Sequence, residues 1–290
     1  MIRKVIWISS YPKSGNNWLH SVIRTAGKAY GFPPGELDIY VLLKEKRPLL
    51  ACNCVAPMVA DNPCGVFKTH ACFDERRPPH AKLGLAMAGF IHVYRNPLDV
   101  LLSYLNYTRL EYARKPSNRG YRKRLFMGLL GMPAPVPYAA WKSIQLEDIP
   151  RKNLDHALGV FGAADTRLEM FQGMSGSWIE NTASWIDACG PHRGIVLRYE
   201  DLLDDNREFL KVLPYFTFGA DDVTAALQRV NDWVKEVKAG PASTDRAIFH
   251  NKMRSYYFPE FFSRGAIDRF FSRHETVLKQ RGYGHLLARA

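Results

Sequence analysis

The sequence predicts an α/β protein of three layers, with a central, mostly parallel β-sheet flanked by helices. Three observations carry this. Short apolar runs rich in β-branched or aromatic residues occur at Val5–Ile8, Gly89–Tyr94 and Gly194–Leu197, and each passes directly into a stretch with helical apolar spacing. A strand that hands over to a helix must return by a crossover, which makes its neighbours parallel. In such a sheet, ligand sites lie beyond the carboxyl ends of the strands.

The first unit covers residues 5 to 23. Val5 to Ile8 read as a buried strand, Tyr11-Pro12 breaks it, and beyond Gly15 the apolar residues Trp18, Leu19, Val22 and Ile23 recur at helical spacing, with Asn16 as N-cap. A strand, tight loop and helix in that order aim backbone N–H groups and a helix N-terminus at one point. That is an anion site, and Lys13 and Ser14 add a charge and a hydroxyl. Residues 31 to 63 are rich in Pro and Gly and read as a surface excursion, with Asp38 to Leu43 as a short helix. Cys64 to Thr69 reads as a second strand, followed by His70.

After the strand at Gly89–Tyr94 comes Arg95-Asn96-Pro97, where Asn96 caps and Pro97 occupies the first turn of a helix to about Tyr112. Residues 113 to 137 are strongly basic and end in a proline-rich run. They read as a solvated segment, a lid or an anion patch. Ser177 and Glu180 form a capping box, and the tryptophans that follow, Trp178 and Trp185, read as core. The strand at Gly194–Leu197 runs into Arg198-Tyr199-Glu200-Asp201. Helices follow near Asp201–Leu213, from Asp221 or Asp222 to Lys235, and over Ser272–Arg281, the last stopped by Gly282.

A chain of 290 residues with 47% hydrophobic content fits a single domain spanning 1–290, with a basic lid or acceptor-binding insertion around 108–150. Its net charge of +12 suits polyanionic partners. The cysteines, Cys52, Cys54, Cys64, Cys72 and Cys189, are odd in number and include no Cys-x-x-Cys pair, so neither a disulfide framework nor a zinc site is indicated. No apolar run approaches the roughly 18 residues of a membrane span. With no leader or anchor pattern at the start, a cytoplasmic location is expected.

The loop is not a Walker A sequence, because Lys13 precedes the glycine. Tyr11-Pro12-Lys13-Ser14-Gly15-Asn16-Asn17-Trp18 instead resembles the 5′-phosphosulfate loop of sulfotransferases that use 3′-phosphoadenosine 5′-phosphosulfate (PAPS), with two asparagines where that family has two threonines. Lys68-Thr69-His70 resembles the family's Lys-Thr-His. Arg95-Asn96-Pro97-Leu98-Asp99-Val100 with Ser103 resembles its 3′-phosphate motif. Arg198-Tyr199-Glu200-Asp201 resembles the segment whose tyrosine contacts adenine, and Ser263-Arg264-Gly265 is loosely similar to the C-terminal Arg-Lys-Gly.

The resemblance implies a P-loop-like sulfotransferase fold and in-line transfer of a sulfuryl group to a hydroxyl or amine, with 3′,5′-bisphosphoadenosine (PAP) as the other product. It implies His70 as general base, Lys13 stabilising the leaving phosphate and Lys68 by the sulfuryl oxygens. Lys13, Ser14, Gly15, Asn16, Asn17 and Trp18 would hold the 5′ end and the base. Arg95, Ser103, Arg264 and Gly265 would hold the 3′-phosphate, which carries roughly −1.5 to −2 charges, and Tyr199 the adenine. Asparagine amides also donate hydrogen bonds, so the departure at Asn16 and Asn17 is expected to leave phosphate binding intact. No metal requirement is expected. The acceptor is a small molecule or glycan that the sequence does not identify, nucleic acid is not expected as a partner, and the oligomeric state is open. Three rivals stand beside this reading: a P-loop-like kinase, a basic nucleic-acid-binding protein built on the aromatic, basic segments 109–124 and 246–273, and an enzyme-like scaffold that binds nucleotide without turnover, which the departure at Asn16-Asn17 keeps open.

Overall fold

A computed structural model of the chain describes residues 4–16, 18–19, 22, 55–56, 64–75, 86–114, 127–132, 145–163, 175–192, 194–204, 208, 211–212, 224, 228, 231–232, 235 and 255–288. Among them are five strands: β1 (Lys4–Ser9), β2 (Val55–Ala56), β3 (Cys64–Thr69), β4 (Ala86–Tyr94) and β5 (Gly194–Arg198). The longer helices are α1 (Pro97–Arg114), α2 (Arg151–Phe161), α3 (Trp178–Asp187), α4 (Tyr199–Asp204) and α5 (Arg264–Gln280). The chain divides into two compact units, Met1–Arg95 with Glu169–Pro241 and Asn96–Leu168 with Ala242–Ala290.

The first unit contains the sheet, in the order β2-β3-β1-β4-β5. β1 pairs in parallel with β3 on one side and β4 on the other, β4 pairs in parallel with β5, and only the short edge strand β2 runs antiparallel. The mostly parallel α/β sheet that the sequence predicts is therefore the one observed. β1 is the central strand, and each of its residues from Val5 to Ser9 is buried, as a strand covered on both faces requires. On one face Val5, Trp7 and Phe90 meet Trp185 and Ala188 of the α3 segment, with the Phe90 and Trp185 rings 4.9 Å apart at 67°. The neighbouring strands begin where expected or slightly earlier, β4 at Ala86 rather than Gly89. β2 falls inside the stretch read as irregular: two residues are too short for a periodic signal. The expected helix at Asp38–Leu43 and most of the basic segment 113–137 lie outside the described residues. Of the helix expected from Asp221 or Asp222, Thr224, Gln228, Asn231, Asp232 and Lys235 are described, all helical.

The register places the ends of the parallel strands side by side, with Ser9 opposite Thr69 and His92, and Tyr94 opposite Arg198. Each parallel strand then releases a site candidate: Ser10 and the loop after β1, His70 after β3, Arg95 after β4, Tyr199 after β5. α3 starts at the capping box that the sequence signals. The Ser177 hydroxyl accepts from the Glu180 N–H at 3.1 Å and the Glu180 carboxylate accepts from the Ser177 N–H at 2.6 Å. α4 opens at Tyr199 rather than near Asp201, so the tyrosine lies at the junction itself.

The second unit is built of helices and short 3-10 turns. α1 is capped as expected, the Asn96 Oδ1 accepting from the Leu98 N–H at 3.0 Å. Inside it the buried Asp99 carboxylate accepts from the Tyr256 N–H at 2.6 Å, which holds Tyr256 at a φ of 59° that a bulky residue rarely adopts. α5 begins at Arg264, well before the expected Ser272. Phe261 and Phe262 precede it and Phe270 and Phe271 lie within it, so the segment reads as irregular and aromatic until Ile267, Phe270 and Phe271 are seen buried. α5 breaks its helical angles at His274, whose Nε2 donates to the Gly162 carbonyl at 2.7 Å. Among the described residues no helix is long and apolar enough to cross a membrane.

The tightest point of the sheet gives a direct check. A Cβ at Gly194 would lie 2.2 Å from the Phe90 ring and 2.8 Å from the Cys189 backbone. Gly194→Ala is expected to destabilise the chain by about 1–3 kcal/mol through overpacking, read as a lowered midpoint in urea unfolding with an unchanged slope.

Candidate active site

The loop after β1 turns through a Ser14 N–H bond to the Tyr11 carbonyl, 3.1 Å. Lys13 and Gly15 both adopt positive φ, 72° and 109°. For Gly15 this carries no steric penalty, but for Lys13 the left-handed conformation stores of order 1 kcal/mol or more and persists only where the surroundings enforce it. The Ser14 hydroxyl is fully buried and makes no hydrogen bond among the described residues. A buried hydroxyl without a partner is costly, and a loop that carries one beside a lysine and a helix start has the chemistry of an anion cradle. The helix opens with Asn16 as its first helical residue, the Leu19 N–H donating to the Gly15 carbonyl at 2.9 Å, so Gly15 and not the expected Asn16 stands at the N-cap position.

Asn16 itself does something the sequence does not announce. Its Nδ2 donates to the Ile8 carbonyl at 3.2 Å and the Thr69 carbonyl at 3.4 Å, joining the ends of β1 and β3. Both amide protons are taken up by backbone carbonyls, so the side chain expected to donate to phosphate is a strand clamp instead. What it leaves at the site is its backbone. Asn17 lies outside the described residues.

His70 is anchored to the same loop. Its Nδ1 lies 2.8 Å from the Ser10 carbonyl and 3.3 Å from the Ser10 hydroxyl. A carbonyl only accepts, so Nδ1 carries the proton and Nε2 carries the lone pair, the tautomer a base needs. The imidazole is 8% exposed. Burial first, then the positive charges of Lys68 and Lys13, outweigh the Ser10 carbonyl bond and hold its pKa at about 3. Burial likewise pushes the Lys68 ammonium down to about 8. Lys13, Lys68 and His70 therefore share one electrostatic environment, as expected of a site that collects negative charge.

The backbone after His70 is pinned by α3. Asn181 Nδ2 donates to the His70 carbonyl at 3.0 Å and the Ser175 carbonyl at 3.2 Å. The Ser184 hydroxyl accepts from the Phe73 N–H at 2.9 Å, and the Trp185 Nε1 donates to the Ala71 carbonyl at 2.8 Å. At the start of α3 the Trp178 Nε1 donates to the Arg95 carbonyl at 3.0 Å. Both tryptophans are core, as the sequence suggests, but each also fixes a site-bearing segment through its N–H. Asn181 and Ser184 went unread because a polar residue on the buried face of an amphipathic helix breaks the pattern rather than making one.

Arg95 is 7% exposed and its guanidinium carbon lies 4.5 Å over the Tyr199 ring. The same ring meets Trp18 edge-on at 6.0 Å and 85°. Lys13, Ser14, Gly15, Asn16, Trp18, Lys68, His70, Arg95 and Tyr199 thus all belong to the first unit. Ser103, on α1, and Arg264 and Gly265 belong to the second. Ser263 is the N-cap of α5, its hydroxyl accepting from the Ala266 N–H at 3.3 Å. Arg264 is largely exposed with its Nε 3.7 Å from Asp268. Ser263-Arg264-Gly265 thus forms the start of a helix, with the Arg264 side chain at the surface.

A parallel sheet with an anion-type loop leaving its central strand puts the chain in the P-loop-like α/β class. The family model described as sulfotransferase domain matches residues 3–218, and the chain belongs to that family. Among solved structures it is similar to mouse sulfotransferase SULT7A1 complexed with PAP, with a TM-score of 0.54 and 17% identity, covering 99% of this chain and 88% of that one. It is also similar to retinol dehydratase, in one structure with androsterone and inactive cofactor PAP and in another with retinol and PAP. Both have a TM-score of 0.53 and 12% identity, covering 95% and 96% of this chain and 80% and 82% of theirs. At these identities the likeness is one of fold. No curated protein matches the sequence.

The depressed His70 pKa carries a stability signature. The unfolded chain protonates this side chain near 6.5, while the folded chain resists until about 3. Between those values the unfolded state binds the extra proton, so stability falls as pH drops from 6.5 toward 3. His70→Gln is expected to flatten that part of the profile, read by urea unfolding at pH 7 and 4.5. An identical slope in both proteins would contradict the assigned burial and charge.

Proposed function

We propose that the protein is a PAPS-dependent sulfotransferase, with PAP as product, acting on a hydroxyl or amine of a small acceptor. The observation that carries this reading is the hydrogen bond from His70 Nδ1 to the Ser10 carbonyl. It ties the imidazole to the loop that holds Lys13 and the buried Ser14 hydroxyl, with the basic nitrogen on the other side of the ring. The donor supplies an activated sulfuryl group on a phosphate leaving group. The chain supplies everything else.

Lys13, Ser14 and the loop N–H groups hold the 5′ end, with Ser14 Oγ as the buried donor that an anion would satisfy. Lys13 faces the charge that grows on the departing phosphate oxygen, and Lys68 stands by the sulfuryl oxygens. Arg95 holds the 3′-phosphate with its guanidinium fork, and the role of Ser103 rests on the sequence motif alone. His70 Nε2 takes the acceptor proton. In the free protein its basicity is held down partly by Lys68 and Lys13. Negative charge held against those lysines offsets that part and raises the imidazole toward the range in which a base is effective. The family match runs through residues of both compact units, which supports their acting as one sulfotransferase domain. The retinol dehydratase structures, with androsterone and retinol, support small apolar alcohols as the first acceptors to test, alongside anionic sugars.

The reading is tested by an acceptor screen monitored by PAP release, followed by three variants. His70→Ala is expected to lose turnover by at least about 10²-fold, the typical scale of general-base catalysis, with PAP affinity nearly unchanged. Retained turnover would remove the base assignment. Lys13→Ala is expected to lower kcat strongly. Arg95→Ala is expected to weaken PAP far more than adenosine 5′-phosphate, and equal loss for both would contradict its pairing with the 3′-phosphate.

A further inference from the structure

Tyr199 is placed as no base-stacking residue needs to be. It is the first residue of α4, directly after β5, and its ring is buried. On one side the Arg95 guanidinium lies over the ring face, 4.5 Å from the centroid. On another the ring edge presses against Gly15, where a Cβ would lie 2.4 Å from Cδ2 and 2.9 Å from Cε2. Trp18, in the first turn of the helix that follows the loop, closes the ring edge-on at 6.0 Å. The Arg95 backbone is fixed separately by Trp178, and its side chain meets the Tyr199 ring.

We infer that Tyr199 is a positioning residue that couples the loop to Arg95, so that the two anionic ends of a 3′,5′-bisphosphorylated nucleotide are gripped as one unit. The inference rests on the proposed reading that the loop and Arg95 hold those two ends. A guanidinium held over an aromatic face is oriented by the ring, which leaves its fork of N–H donors directed away from the ring face. The ring face that carries Arg95 is then not offered to adenine. Because the ring edge fills the space a Cβ at Gly15 would take, the ring cannot shift without moving either the loop glycine or the arginine. Gly15 at φ 109° lets the loop pass this close. A 3′-phosphate that draws Arg95 into one orientation thereby fixes the ring, and the fixed ring holds the loop in the shape that receives the 5′ end.

The coupling appears in the ratio of affinities for PAP and adenosine 5′-phosphate, measured calorimetrically for the full chain and for Tyr199→Phe, Tyr199→Leu and Tyr199→Met. The Phe variant keeps ring, stack and contact with Gly15, and is expected to keep the wild-type ratio within about twofold. Leu and Met remove the π face and are expected to lose about tenfold of the preference for PAP, the scale of a desolvated cation–π contact. Met fills the volume with an adaptable side chain, so it reads the same loss if the Leu chain does not fold. A ring that serves only as a base contact weakens both nucleotides by one factor and leaves the ratio intact, and that result would overturn the coupling. A wild-type chain with no preference for PAP would remove the underlying reading as well, and is distinguished from the former case by the wild-type titrations alone.

Discussion

One short hydrogen-bond circuit at the carboxyl ends of β1 and β3 governs the rest of the site. The Thr69 carbonyl accepts from the Ser10 N–H at 3.3 Å and from Asn16 Nδ2 at 3.4 Å, and the Ser10 carbonyl accepts from His70 Nδ1 at 2.8 Å. Strand ends carry carbonyls with no ladder partner, and burial obliges each of them to find one. Here the partners come from the anion loop and from the histidine after the neighbouring strand. The requirement to satisfy buried backbone therefore locks loop, helix start and imidazole into one body, and sets the tautomer of the imidazole as a consequence.

The electrostatics follow from that placement. His70 and Lys68 are largely buried and His70 feels the charges of both Lys68 and Lys13, so the imidazole stays neutral and the Lys68 ammonium is easier to deprotonate than usual. A cationic, partly desolvated pocket edge of this kind gains most when an anion arrives, because the interactions it offers are weakly screened. α3 serves the arrangement from behind. Its Asn181, Ser184, Trp185 and Trp178 side chains reach the backbone after His70 and at Arg95, so two site-bearing segments are registered against one helix.

Much of this was legible in the sequence. Strands made of short apolar runs, the Ser177/Glu180 capping box, the Asn96-Pro97 helix start, and the positions of Lys13, His70, Arg95 and Tyr199 just after strands all follow from local pattern, because local chemistry decides them. What the pattern does not carry is the direction of a side chain. Asn16 reads equally well as a phosphate donor or as a clamp on carbonyls, and only the register of β1 against β3 shows that it clamps. Tyr199 reads as a strand-end tyrosine, and only the structure shows Gly15 and Arg95 against its ring. Likewise the start of α5 at Arg264 is hidden in the sequence by phenylalanines that tertiary burial, not periodicity, explains.

The central claim is that the strand-end loop is built for a 3′,5′-bisphosphorylated adenosine and not for a nucleoside triphosphate carried by Mg²⁺. Its most direct test is a pair of calorimetric titrations of the full chain, one with PAP in the presence of a chelator and one with ATP and Mg²⁺. The account predicts tight binding of PAP without metal and much weaker binding of ATP with it. Metal-dependent binding of ATP that exceeds that of PAP would contradict it.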